Sequence, residues 1–180
     1  MSEQHFDVVV VGGGPAGYAS ALYGASAGLN IALIEKSKMG GTCLNVGCIP
    51  AKELLETASV VRTIQHAAEF GVEVNPIGLR WEQTMARKQG IIDQLVGGLT
   101  GLLKNRKVTI FDGTGRLAAD HATVEISGGS SGQLSISGDA VILAAGSVPR
   151  SLDGFPVDQH RIVTSDELLS IGAVPTSAVV

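Results

Sequence analysis

The sequence has little charge of either sign to offer a partner. Thirteen lysines and arginines against 17 aspartates and glutamates leave a net charge of −4 over 180 residues, spread without blocks. With no basic stripe for a phosphate backbone or an anionic membrane, nucleic acid and membrane partners are excluded. The opening MSEQHFDVVVVGGG has no basic region ahead of its short apolar run, and nothing approaches the roughly 20 apolar residues a spanning helix needs. The expected address is therefore the cytoplasm. Cysteine occurs twice, at Cys43 and Cys48, and no clustered histidine joins them. Zinc would need two further ligands, so no metal site is expected. There is no internal repeat and no long low-complexity segment.

Glycine is abundant: 24 of 180 residues, against an average near 7%, which implies tight turns or close backbone approaches. Apolar residues make up 44%, enough for a sizeable core. Phe6 to Val11 reads as a strand buried on both faces and hence central and parallel. A helix from Pro15 to Gly28 follows, with Gly17, Ala21, Ala25 and Gly28 recurring on one face so that it can lie close to a sheet. Asn30 to Ile34 is a second strand ending at Glu35, completing a right-handed βαβ unit. Helices are predicted from Ala51 to about Phe70, closed by Gly71, and from Trp81 to Lys104, where Gly90, Gly97, Gly98 and Gly101 weaken the pattern. Short strands follow at 107–111, 115–119, 122–126 and 133–136, with SGGSSG as a hairpin loop, and then an apolar strand at 140–144. A short helix is expected near Asp166 to Leu169, and VPTSAVV at 174–180 looks like the start of a strand. The fold class is α/β: a Rossmann-like domain with a central parallel sheet, flanking helices and a small antiparallel β-meander.

VVVVGGGPAG places Gly12, Gly14 and Gly17 in G-x-G-x-x-G spacing between a strand and a helix. Gly12 would make the turn, Gly14 would admit a pyrophosphate to the backbone, and Gly17 would let helix and strand touch. Pro15 and Ala16 complete the loop, whose helix N-terminus favours negative charge. Glu35 suits a ribose 2′-hydroxyl and disfavours a 2′-phosphate, without separating NAD from FAD. Lys36 beside it is a candidate at the same position, although a solvated surface charge explains it equally.

GGTCLNVGC puts the two cysteines five positions apart. Two inert thiols, half a zinc site and a structural staple are the bland alternatives; a glycine-rich loop after a nucleotide unit in a reducing compartment favours a reversible redox pair. On a straight helix, residues i and i+5 lie roughly 8–9 Å apart in Cα positions, beyond the disulfide limit of about 7 Å, so the segment must bend. Pro50 withholds an N–H and Gly47 relaxes the backbone between the thiols. Cys48 falls near the start of the next helix, a position that favours a thiolate, and Lys52 lies one turn further on.

Taken together, GGGPAG, GGTCLNVGCIPAK and VILAAGSVPR resemble the flavin-dependent pyridine nucleotide-disulfide oxidoreductases, and CLNVGCIP resembles the dihydrolipoyl dehydrogenase branch most. The likeness covers nearly the whole chain. It implies FAD on the first nucleotide fold, an active disulfide between Cys43 and Cys48, and electron transfer from dihydrolipoamide, carried on a lipoyl domain of a 2-oxo acid dehydrogenase complex, to NAD⁺. Cys43 would be the interchange thiol, Cys48 the charge-transfer thiolate facing the flavin, and Lys52 its neighbour. Gly41 and Thr42 would line the pyrophosphate and ribityl region, Gly115 the adenine end, and Ala145, Gly146 and Ser147 would close the site. Ala145 stands where the family often has Thr.

The resemblance also implies parts expected outside these 180 residues: the NAD site, the returning flavin segment and the domain that makes the complete enzyme a homodimer. Residues 1–150 are expected to form an incomplete FAD-binding domain bearing the disulfide, and 151–180 a connector and the start of an NAD-binding domain. The family's catalytic histidine precedes a glutamate by five residues; His5, His66, His121 and His160 lack that glutamate and receive no role. Two alternatives remain: a glutathione or mercuric reductase-like enzyme, and a catalytically inactive FAD-binding fragment.

Overall fold

The structure, a computed structural model, describes residues 4–75 and 78–180. Its elements run β1 (Gln4–Val11), α1 (Pro15–Ser26), β2 (Ile31–Glu35), α2 (Gly41–Asn45), α3 (Cys48–Gln65), a 3₁₀ turn (Ala67–Phe70), α4 (Trp81–Asn105), β3 (Thr109–Asp112), β4 (Thr114–Leu117), β5 (Thr123–Ser127), β6 (Leu134–Leu143) and α5 (Ser165–Leu168). Contacts divide the chain into two compact units: residues up to Asn45 with Gln94–Val148, and Val46–Asp93 with Pro149–Val180.

The first unit is built on a six-stranded sheet of order β3-β2-β1-β6-β5-β4. β1 is central and parallel to both β2 and β6, and β2 is parallel to β3. β4, β5 and the first half of β6 form the antiparallel meander. Alternating side chains supply two cores. Val10, Ile31 and Leu33 pack with Ala21 of α1 and Leu103 of α4 on one face. On the other, Val9, Val11, Ala32 and Ile34 pack with Phe111, Val124, Ile126 and Ile136. Each such valine, leucine or isoleucine side chain contributes roughly 1.5–3 kcal/mol by leaving water, so the parallel strands are held from both sides.

A slip of one residue breaks the alternation at Asp7. The N–H groups of Asp7 and Val8 both donate to the Asn30 carbonyl, at 3.0 and 3.4 Å, as at a β-bulge. Phe6 thereby shares a face with Val9 rather than with Val8, and its ring meets Phe111 edge-on, centroids 6.0 Å apart.

Several expectations change at their edges. The runs 133–136 and 140–144 are one strand, β6, because Gly138 pairs with Phe6 and Ala140 with Val8 without leaving the ladder. Space there requires glycine: a Cβ on Gly138 would lie 2.9 Å from Val9 Cγ2. The helix expected from Ala51 begins at Cys48, since Pro50 sits in the first turn, where its missing N–H costs no helical bond. It ends at Gln65, and the 3₁₀ turn carries the chain to Gly71, which terminates it at φ +73°. α4 stays continuous through its four glycines. Leu103 of that helix is buried, whereas a Cβ on any of the four would meet nothing within 4 Å. Residues 174–180 form no strand; they have no partner strand among the described residues, and an unpaired strand leaves its backbone groups unsatisfied.

In the second unit, Trp81 Nε1 donates to the Ile171 carbonyl at 3.0 Å, and Lys88 Nζ donates to the Leu169 carbonyl at 2.6 Å. Lys88 is buried, and burial pushes its pKa down. Arg87 pairs with Glu53 of α3. α5 is closed by a capping box between Thr164 and Glu167. Among the described residues, no helix is long and apolar enough to cross a membrane.

Candidate functional site

The C-terminal ends of β1, β2 and β6 bring the glycine loop, Glu35 and the 144–147 segment together in the first unit. Chain direction explains this: three parallel neighbours deliver their following loops to one edge of the sheet, the edge at which open α/β sheets bind ligands.

Each motif glycine has a steric reason. Gly12 turns at φ +107°, and a Cβ there would lie 2.2 Å from the Ala144 carbonyl oxygen. A Cβ on Gly17 would lie 1.7 Å from the Gly12 carbonyl oxygen, so α1 rests directly on the turn. Gly14 is the extended N-cap of α1 with no side-chain cap, Pro15 opens the helix, and the first turn holds no acidic residue. The amides that a helix leaves unbonded in its first turn are thus left for an anion. Pro15 and Ala16 are exposed there, while Gly17 is buried.

Glu35 is bound into the loop itself. Its Oε2 accepts from Gly13 N at 2.6 Å and its Oε1 from Ser37 N at 2.8 Å. A carboxylate has about four lone-pair positions, so both oxygens retain capacity for a sugar hydroxyl. Lys36 is exposed.

α2 starts against the cradle. Gly40 N donates to the Gly13 carbonyl at 2.8 Å, and a Cβ on Gly41 would lie 2.7 Å from Gly14 Cα. Thr42 follows, exposed, and then Cys43, half-buried. Gly115 lies on β4 over the ends of β1 and β2, where a Cβ would come within 3.1 Å of Val11 and 3.3 Å of Ile34. Ala145, Gly146 and Ser147 are exposed after β6, with Gly146 at φ +73°.

The expected bend between the cysteines is a full break. α2 ends at Asn45, Gly47 adopts φ −144° and ψ −109°, and α3 restarts with Cys48 as its first residue. The Ala51 N–H closes the first helical bond, to the Gly47 carbonyl at 3.0 Å. Cys48 and Lys52, both exposed and one turn apart on α3, belong to the second unit. The structure therefore gathers Gly12, Gly14, Pro15, Ala16, Gly17, Glu35, Gly41, Thr42, Cys43 and Gly115 with the 145–147 loop in one unit and leaves Cys48 and Lys52 in the other.

Sequence reasoning passed over Gly13, Met39, Gly40 and Ala144. Met39 is buried, with its sulfur 2.8 Å from where a Gly13 Cβ would stand. The glycine pair in MGGT was a usable signal for Gly40; the Ala144 carbonyl carried none. A groove in the second unit, lined by Arg62, His66 and Phe70 among others, contains none of the expected residues.

A sequence profile of the family described as "Pyridine nucleotide-disulphide oxidoreductase" matches residues 6–180. A dihydrolipoyl dehydrogenase of Bacillus subtilis (strain 168) is 40% identical over 183 residues, covering 97% of this chain and 38% of the relative. One of Chlamydia muridarum is 41% identical over 172 residues, covering 94% and 36%. The crystal structure of LpdA from Mycobacterium tuberculosis superposes with a TM-score of 0.85 at 23% identity, over 96% of this chain and 38% of that one. This last likeness shows the fold, with its mostly parallel sheet and flanking helices. The chain spans less than two-fifths of the length of these relatives.

Proposed function

The chain belongs to the pyridine nucleotide-disulphide oxidoreductase family, and from that premise we propose that its residues supply the FAD-binding and disulfide-bearing part of a dihydrolipoyl dehydrogenase. The observation that carries this reading is the contact between the two motifs. The helix holding Cys43 begins at Gly41, packed against Gly14 of the glycine loop, so the loop that would hold a pyrophosphate also sets the start of the cysteine helix.

The residues fit FAD. Uncapped first-turn amides of α1 would take the pyrophosphate, Glu35 a ribose hydroxyl, Gly115 the adenine end, and Gly41 and Thr42 the stretch toward the flavin, with Ala145, Gly146 and Ser147 closing the site. When bound, FAD supplies a two-electron relay between a dithiol and NAD⁺. The chain's own chemistry is thiol–disulfide exchange. A thiolate of dihydrolipoamide attacks the Cys43 sulfur, the Cys43–Cys48 bond breaks, and the second substrate thiol displaces Cys43. Lipoamide leaves with the new S–S bond, and Cys43 and Cys48 retain two electrons and two protons. Over the whole reaction, dihydrolipoamide and NAD⁺ give lipoamide, NADH and a proton.

On the same reading, residues 1–150 are the FAD-binding domain and 151–180 a connector leading toward an NAD-binding domain. The partners are a lipoyl domain of a 2-oxo acid dehydrogenase complex and a second enzyme subunit, and the setting is a reducing compartment such as the bacterial cytoplasm.

Titrating the purified chain with FAD tests the reading. Saturable quenching of flavin fluorescence is expected, with a Cys43–Cys48 disulfide in peptide maps of the oxidised protein that disappears on adding dihydrolipoamide. An oxidised chain with neither FAD binding nor that disulfide would refute it.

A further inference from the structure

Asn45, the last residue of α2, does more than end a helix. Its Nδ2 donates to the Gly41 carbonyl at 2.9 Å, back across the helix, and to the Met39 carbonyl at 3.1 Å, outside it. One side chain thus spans the whole turn that leads into the cysteine helix. The turn is made of residues that are costly to order: Gly40 and Gly41 sit at φ +94° and +54°, which glycine adopts without steric cost but with the largest loss of conformational freedom on folding, and a Cβ on Gly40 would lie 2.4 Å from Leu44 Cδ1. A helix of five residues is also far below the length at which helices persist unaided. The other amide atom, Oδ1, is buried and has no hydrogen-bond partner among the described residues. Buried polar atoms are nearly always paired, so an apolar residue would avoid a desolvation cost that asparagine incurs here. Ordinary C-capping explains the bond to Gly41 but neither the bond to Met39 nor the orphaned oxygen.

We propose that Asn45 is the positioning residue for Cys43: its amide clamps α2 onto the Met39–Gly41 turn and so holds the sulfur in one place through thiol–disulfide exchange. The inference rests on the redox role given to Cys43 above. With the clamp in place, Cys43 stays half-buried and its helix does not fray between the oxidised and reduced states. Without it, Cys43 samples many positions, and disulfide formation, which needs one of them, is disfavoured. In a glutathione buffer, the two thiols lose two electrons and two protons to oxidised glutathione, which becomes two molecules of reduced glutathione.

The test compares the wild-type chain with Asn45→Ala and Asn45→Gln, the latter keeping the amide on a longer stem. Iodoacetamide alkylation is followed peptide by peptide, and the dithiol–disulfide midpoint is read in glutathione buffers. Asn45→Ala is expected to speed alkylation of Cys43 at least fivefold with Cys48 within twofold of wild type. It should also weaken the disulfide about tenfold, a rise of about 30 mV in potential, with Asn45→Gln between the two. Equal acceleration at both cysteines would mean general loosening and would overturn the proposal, as would an unchanged Cys43 rate in soluble Asn45→Ala or a faster rate in Asn45→Gln than in Asn45→Ala. The alkylation arm needs no disulfide, so it judges the clamp even if the wild-type chain forms none, an outcome that would instead refute the redox reading.

Discussion

Replacing Gly17 by alanine should dislodge α1 from the glycine turn. The new Cβ would stand 1.7 Å from the Gly12 carbonyl oxygen and 2.9 Å from its carbon. Both are backbone atoms, so no rotamer change relieves the clash, and the helix must retreat by at least about 1.3 Å to reach a tolerable contact. Overpacking of this kind costs about 1–3 kcal/mol, or more where backbone moves. Alanine's higher helix propensity returns up to about 1 kcal/mol. Strain wins by roughly 1–2 kcal/mol, which for a chain of this size lowers the melting temperature by about 2–8 °C. The retreat also carries the first-turn amides away from the site proposed for the pyrophosphate, so FAD affinity should fall by more than stability alone explains. Gly97→Ala in α4 is the control: its Cβ would meet nothing within 4 Å, leaving only the propensity gain of up to about 1 kcal/mol. Thermal unfolding followed by circular dichroism, with FAD titration of each variant, reads both. A Gly17→Ala chain as stable as wild type, with the same FAD affinity, would refute the steric argument.

Lys88→Met removes the buried donor to the Leu169 carbonyl while keeping the stem, and amide hydrogen exchange over 164–171 should quicken. Burial lowers the Lys88 pKa in the folded chain, so between that lowered value and the ordinary 10.5 the unfolded chain binds more protons and stability rises with pH. The difference in stability between wild type and Lys88→Met should therefore move in favour of wild type toward alkaline pH; a flat difference would reject the assignment. Asp158 accepts from the N–H groups of His160, Arg161 and Ile162 at 2.8, 2.7 and 2.9 Å, which hold its pKa down at about 2. Its stabilising effect is present above the ordinary carboxylate range and lost as pH falls through about 2; carbon NMR of the side-chain carboxyl should titrate there, and a midpoint near 4 would contradict the loop geometry.

The parts legible in the sequence were those whose cause is local. Phe6 to Val11, the glycine spacing and the stop at Gly28 each follow from residue type and period, and the structure places β1, α1 and β2 accordingly. Gly47 and Pro50 announced the break between the cysteines. What stayed hidden depends on distant backbone. The runs 133–136 and 140–144 read as separate strands until Phe6 and Val8 are seen pairing with Gly138 and Ala140. The helix read from Trp81 to Lys104 was legible despite Gly90, Gly97, Gly98 and Gly101; what the sequence did not show is that Leu103, beyond them on α4, is buried against the sheet. The acceptors chosen by Asn45, Trp81 and Lys88 are all main-chain carbonyls, which leave no mark on residue identity.

β6 belongs to two ladders at once, antiparallel to β5 over Leu134–Ser137 and parallel to β1 from Ile136 to Leu143. Because β4 and Gly115 hang from β5, while Gly146 follows the far end of the same strand, one length of backbone sets the distance between two ends of the site proposed for FAD. A deletion of a single residue within it would turn every later side chain to the opposite face and shift both walls together, so this strand should tolerate exchanges of side chain far better than changes of length.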